Sequence, residues 1–284
     1  MTVKDAPDFC ADLVRSHDFV RYASTLFVPV EMRRPLLALY AFNVEVSRVR
    51  EQVSQPLPGE VRLQWWTDML LGAGHGGVAG NPVASELSRV IQNFGLQVDR
   101  LTRLVEEHQF DLYNDPMPTV AALEGYASDT SSALFALAAR IAGAPAAEVD
   151  HLARHAGLAL GLVQAVDALP RDAARRQLFI PLQLLEKHGS GVEAVFGGKQ
   201  TPQARAAIDE VIGQAQQHLE VALTLLAETV PEVRPVFLTL ALVRRDLARL
   251  LRADNDPFAP PTRSRFATLW LLWRASRSAA FKPG

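Results

Sequence analysis

Cysteine is nearly absent from this sequence. Cys10 is the single one in 284 residues, so no intrachain disulfide can form and no cysteine-based zinc cluster exists. An excess of one charge is missing too: 29 Lys and Arg stand against 31 Asp and Glu, which leaves no bulk electrostatic case for a nucleic-acid partner. No run of 18 apolar residues occurs, so no spanning helix is expected. The opening MTVKDAPDFC has neither a signal h-region nor an arginine-rich presequence, and a cytoplasmic location is the resulting expectation. The one glycine-rich stretch, GAGHGGVAG from Gly72 to Gly80, lacks the Gly-Lys-Ser/Thr ending and the preceding strand of a phosphate-cradling loop. It reads as a flexible connection between helices.

What remains is helical and apolar. At 49% apolar and 21% charged residues the chain has a globular composition, long enough for one large all-α domain or two small ones. The organising stretch is PVEMRRPLLALYAFNVEVSRVRE, Pro29 to Glu51. Leu36, Leu39, Tyr40 and Val44 recur at helical spacing, predicting a helix over 35–54. Asn43, Ser47 and Glu51 then share one face, flanked by Arg48 and Arg50. Such an inward row suits a binding or catalytic site, but it holds only one carboxylate.

Further helices are expected over 5–27 with a break near Ser16, 61–71, 99–113, 123–143 and 263–280, with two long ones over 200–253. Pro56–Gly59 is read as a turn ending the 35–54 helix. Of the adjacent Trp65 and Trp66, one is expected in the core and one half-buried. Glu107 and Asp111 form an i,i+4 carboxylate pair, read as a solvated face. His151 and His155 have a spacing that suits zinc, but no third ligand is evident, and they read as ordinary helix residues. Small residues at Ser131, Ser132 and Ala133 would let a neighbouring helix come close.

FVPVEMRRPLLALYAF resembles the opening signature of the squalene/phytoene synthase family, the head-to-head prenyltransferases, with Pro29, Arg33, Tyr40, Ala41 and Phe42 on matching positions. Trp66, Asn81-Pro82-Val83, Asp111-Leu112, Tyr126 and Asp254 to Phe258 follow in the family's order. The second signature is matched by anchoring on Phe179-Ile180-Pro181. Gln164 then falls on a family Asn, Asp167 on an Arg, and Ala168 and Asp172 on the two aspartates, while Arg175 keeps its basic position. The resemblance implies an all-α, isoprenoid-synthase-type helical domain around a central apolar cavity, spanning 1–258, with a linker and basic aromatic C-terminal helix over 259–284.

The family's chemistry is the ionisation of an allylic diphosphate, and Mg²⁺ would be held by aspartates four apart on two facing helices. The four positions here read Ser47, Glu51, Ala168 and Asp172. Two ligands are missing, one from each site, and Pro170 interrupts the second motif. The strings Tyr40 to Val46 and Arg175 to Pro181 resemble the non-catalytic branch of the family, the complex I assembly factors of squalene/phytoene synthase type. That resemblance implies no catalytic residue, no cofactor, respiratory complex I subunits as partners and an isoprenoid or lipid ligand. The implied ligand contacts are Arg33, Tyr40, Asn43, Arg48, Gln164, Asp167, Arg171 and Arg175. Glu51 and Asp172 are the residual metal candidates. An alternative is a divergent Mg²⁺-dependent prenyltransferase using Glu45, Glu51, Asp167 and Asp172 on farnesyl or geranylgeranyl diphosphate. Another is a cationic pocket of Arg48, Arg171 and Arg175 that holds a diphosphate without turnover.

From Phe258 to Gly284 there are five basic residues and no acidic one, with Phe266, Leu269, Trp270 and Trp273 among them. Residues 263–281 are therefore a candidate membrane-surface element, and the resemblance implies contact at the inner face of the inner membrane. The competing expectation is a terminal helix that packs its aromatics on the core.

Overall fold

A computed structural model describes residues 6–73, 80–262 and 264–281. Among the described residues every regular element is helical. In chain order these are α1 (Ala6–His17), α2 (Phe19–Thr25), α3 (Val30–Ser47), α4 (Val49–Gln52), α5 (Pro56–Leu70), α6 (Pro82–Phe94), α7 (Val98–Glu107), α8 (Val120–Ala127), α9 (Ala133–Ile141), α10 (Ala146–Asp167), α11 (Leu169–Ala174), α12 (Leu182–Lys187), α13 (Val192–Phe196), α14 (Pro202–Glu228), α15 (Leu240–Leu250) and α16 (Arg265–Ser276). Most of the glycine-rich stretch, residues 74–79, lies outside the described residues.

The helix starts follow local chemistry. Asn81 accepts from the backbone N–H groups of Val83 and Ala84, Thr119 from Ala122, Thr201 from Ala204, and Asp18 from Arg21. Each satisfies donors that a first turn leaves unpaired. Pro56 opens α5 instead of ending its predecessor: a proline in the first turn has no N–H to lose. The 35–54 helix in turn begins earlier, at Val30, carries Pro35 inside it, and stops at Ser47. The 99–113 helix ends at Glu107, after which Phe110–Leu112 forms a 3₁₀ turn. The 123–143 helix is interrupted by a π-turn over Ser128–Ser132. The expected helical pair over 200–253 becomes α14, a 3₁₀ turn at Arg234–Phe237, and α15.

α10 is the central rod, packed against α14, α9, α15 and the π-turn. Its approach to the π-turn is unusually close. A Cβ on Gly157 would lie 2.2 Å from the Ser132 Cα, and one on Gly161 would lie 2.6 Å from the Ala127 Cβ. Ser132 Oγ donates to the Arg154 carbonyl across this seam at 2.9 Å. The small residues Ser131 and Ser132 do admit a neighbour, and two glycines answer them from the other side. Trp66 is buried, with Phe42 edge-on at 5.1 Å, while Trp65 is half-buried.

A cavity walled by helix joints

A cavity of about 700 Å³ opens where successive helices stop. Ser16, His17, Asp18 and Arg21 come from the α1–α2 joint, and Asn43, Val44, Ser47, Arg48, Arg50 and Glu51 from the α3–α4 joint. His108 and Asp111 come from the turn after α7, and Tyr126, Thr130 and Ser131 from α8 and its π-turn. Gln164 to Arg175 come from the α10–α11 joint. Helix ends present unpaired backbone groups and short polar side chains, so their convergence makes a polar chamber in an apolar bundle. Val44, Leu123 and Phe179 are its chief apolar members.

Asn43, Ser47, Arg48, Glu51, Gln164, Asp167, Ala168, Arg171, Asp172 and Arg175 are therefore brought together from two segments more than a hundred residues apart. The row of Asn43, Ser47 and Glu51 is not one unbroken face, because the helix stops at Arg48 (φ −102°, ψ 5°) and restarts at Val49. Two expected ligand contacts stand elsewhere. Arg33 donates to the carbonyls of Val28 (3.3 Å) and Leu26 (3.1 Å), tying down the turn before α3. Tyr40 packs in the core under Arg21, whose guanidinium is 5.8 Å from its ring centre, and burial pushes its hydroxyl up to about 12. Glu45 also does not line the cavity; burial raises its pKa, with Arg62 and Arg48 pulling the other way.

Each carboxylate in the lining is already engaged. Asp18 takes Arg21 Nη1 at 2.5 Å. Glu51 takes Arg48 Nε at 2.8 Å, with Arg175 at 4.0 Å on its other oxygen. Asp167 pairs with Arg249 of α15, and Asp172 with Arg171 Nε at 2.9 Å. Asp111 faces inward rather than toward solvent, because the 3₁₀ turn rotates it off the α7 face that carries Glu107. Its oxygens accept from the Tyr126 hydroxyl at 2.9 Å and meet His108 Nδ1 at 2.7 Å. Burial, reinforced by Asp111, raises the Tyr126 pKa well above its usual range. Burial likewise raises that of Asp172, against the pull of Arg171. His108 is buried, and its Nε2 has no hydrogen-bond partner.

Sequence reasoning missed His17, Asp18, Arg21, His108 and the inward role of Asp111. The only local cue was the His108–Asp111 spacing ahead of Tyr126. It also missed Arg249, whose pairing with Asp167 is made across 82 residues.

Mg²⁺ would need several converging oxygen donors. Among the described residues no three His, Cys, Asp or Glu side chains are placed to share an ion. Ser47 and Ala168 contribute no carboxylate, and of the lining carboxylates all but Asp111 face arginines. The donor set does not fit the ion.

The architecture is the all-α isoprenoid-synthase fold. The crystal structure of a dehydrosqualene synthase in complex with ligand superposes with a TM-score of 0.82 at 14% sequence identity, covering 95% of each chain. The squalene/phytoene synthase profile matches residues 14–274, and the chain belongs to that family. Among its curated relatives is the NADH dehydrogenase (ubiquinone) complex I assembly factor 6 of Rattus norvegicus, 30% identical over 91% of this chain and 78% of the relative. That of Homo sapiens is 32% identical over 89% and 76%.

Proposed function

We propose that this chain is a non-catalytic member of the squalene/phytoene synthase family. It would act as an assembly or binding factor for respiratory complex I, with its cavity open to a prenyl or other lipid ligand. The observation that carries this reading is the pairing of every lining carboxylate with a cation, a hydroxyl or an imidazole. A diphosphate leaves only when its negative charge is neutralised as the bond breaks, which the family's chemistry assigns to metal held by aspartates. Here arginine heads occupy the carboxylates that would hold the ions. Arg171 and Arg175, with side chains 57% and 46% exposed, still suit an anionic headgroup. Identity of about 30% to complex I assembly factors over most of the chain supports the partner class.

The test is Mg²⁺-dependent diphosphate release from farnesyl and geranylgeranyl diphosphate, with a Ser47→Asp/Ala168→Asp variant beside the native protein. No release by the native chain is the expected result. Turnover would instead establish the prenyltransferase alternative, with Glu51, Asp167 and Asp172 as its ligands.

A second observation supports action at the inner face of the inner membrane. No helix among the described residues is long and apolar enough to cross a bilayer. On α16, however, the buried residues are Thr268 and Leu272, while Phe266, Trp270 and Trp273 are 78%, 49% and 44% exposed. The competing expectation of aromatics packed on the core thus fails for these three. Arg274 lies over Trp270 at 5.4 Å and Arg277 over Trp273 at 4.3 Å. Rings and cations so placed suit the headgroup region of an anionic bilayer. Arg263 and Lys282 lie outside the described residues. Co-flotation with vesicles containing anionic lipid should fall sharply in Phe266→Ala/Trp270→Ala, and an unchanged bound fraction would remove this element from the reading.

A further inference from the structure

Away from the cavity, three helices bring three imidazoles and a carboxylate into one cluster. His151 and His155 lie one turn apart on α10, His218 comes from α14, and Glu124 from α8. His151 Nε2 and His155 Nε2 are 3.2 Å apart, and their ring centres are separated by 4.9 Å. On its other edge His155 meets His218, Nδ1 to Nδ1, at 2.8 Å. His218 Nε2 in turn lies 3.6 Å from Glu124 Oε1.

We propose that His151 and His155 form a two-histidine chelate for a divalent transition ion of the zinc class, with His218 and Glu124 orienting the second ligand. Two imidazole nitrogens bound at about 2.0–2.1 Å to one tetrahedral ion stand roughly 3.3 Å apart. The Nε2 separation of 3.2 Å already matches that spacing. A hydrogen bond from His151 Nε2–H to His155 Nε2 gives the same separation, and titration with metal separates the two arrangements.

The order of contacts behind His155 selects a tautomer. Glu124 favours the His218 proton on Nε2, facing the carboxylate. His218 Nδ1 is then an acceptor, His155 Nδ1 must be the donor, and the lone pair of His155 falls on Nε2, toward His151. Ligating imidazoles are generally held by just such a bond from their other nitrogen, ending on a carboxylate. Imidazole selects zinc, nickel or copper and not magnesium or calcium. No third side chain joins the pair among the described residues, so the remaining positions go to water or to a donor from outside the chain. The site is independent of the cavity and of whether that cavity turns over a diphosphate.

Isothermal titration of the full, tag-free chain with ZnCl₂, NiCl₂ and MgCl₂ tests this. Zinc and nickel should saturate at one ion per chain, and magnesium should give no heat. His151→Ala and His155→Ala should each abolish that saturation. His218→Gln, which keeps the direct ligands, should weaken binding by about tenfold or more. Circular dichroism of each variant guards against misfolding, and the exposed position of His151 makes that variant the safest of the three. Absence of saturable zinc binding in the native chain, or equal binding by His151→Ala/His155→Ala, would overturn the site. Unchanged affinity in His218→Gln would overturn the orienting role of the second pair.

Discussion

The two segments matched to the family's aspartate-rich motifs are built in parallel but not in the same way. Both helices break inside the motif: α3 stops at Ser47 and restarts at Val49, and α10 stops at Asp167 and restarts at Leu169. The first break has no proline. Arg48 leaves helical geometry there, and its side chain clamps Glu51 at the surface, both groups being about 30% exposed. The second break has Pro170 in the first turn of α11. Its carboxylates are deeper: the side chains of Asp167 and Asp172 are 6% and 5% exposed. One motif has turned into a screened surface pair and the other into part of the core. The carboxylates of the two segments therefore carry different structural weight, which substitutions can separate.

The largest expected effect tests how the second motif is held. Gly157 permits α10 to touch the π-turn, and a methyl group there would meet backbone at 2.2 Å. Backbone cannot swing aside as a side-chain tip can, so Gly157→Ala should destabilise by about 3 kcal/mol or more. In thermal melts that corresponds to a loss of roughly 6–12 °C for a chain of this size. A Tm within a degree of native would mean the seam is looser than this and α10 is not fixed by it. Gly213 of α14 has open space around its Cβ direction, so Gly213→Ala serves as the control and should be neutral or slightly stabilising.

Next comes Asp167→Ala, which strands the Arg249 guanidinium beside the cavity. Removing one partner of a buried pair costs more than the pair is worth, because a charge is left unmatched. Arg249 is 31% exposed and also donates to Asn255, so a loss of about 2 kcal/mol is expected rather than the full buried-pair penalty. Asp167→Ala/Arg249→Met should recover part of it. If the double variant is no more stable than the single one, the pair is not the unit that matters.

This arginine also marks where reading the sequence stopped. Helical spacing and caps located most of the helices, and ordered motif matches located both motif segments, because those signals are local. Asn43, Ser47, Glu51, Gln164 and Asp172 all line the cavity. What could not be read was who pairs with whom across the bundle. Nothing near Asp167 announces Arg249, and nothing near His155 announces His218, since both contacts depend on how α10 lies against α15 and α14. Asp111 was misplaced for a local reason: a 3₁₀ turn after Glu107 rotates it inward, and the periodicity gave no warning of it. Arg33 and Tyr40 matched the family signature, yet one ties a turn and the other fills the core.

A smaller effect concerns pH. Burial holds the Asp172 carboxyl above its unfolded value. Such a group favours the folded state while protonated, and that contribution is lost as pH rises through the folded-state pKa. Asn cannot ionise. Asp172→Asn should therefore gain stability relative to native on going from about pH 4 to pH 7. A Tm difference that is flat across this range, or that moves the other way, would show that Arg171 outweighs burial at this position.

The smallest effect belongs to the first motif and completes the contrast. Glu51 meets Arg48 three residues earlier and Arg175 at 4.0 Å, all of them well hydrated. Partly exposed pairs of this kind are worth no more than about 0.5–1 kcal/mol, since water screens the attraction and ordering two long side chains opposes it. Glu51→Ala should leave the Tm nearly unchanged and should weaken further still as salt is added. A loss as large as that of Asp167→Ala would mean that the α3–α4 joint is held by this carboxylate. The two motifs would then have been absorbed into the structure to the same degree. A near-neutral result, by contrast, leaves Glu51 free of structural duty, so that any effect of its removal on ligand binding reports on the cavity alone.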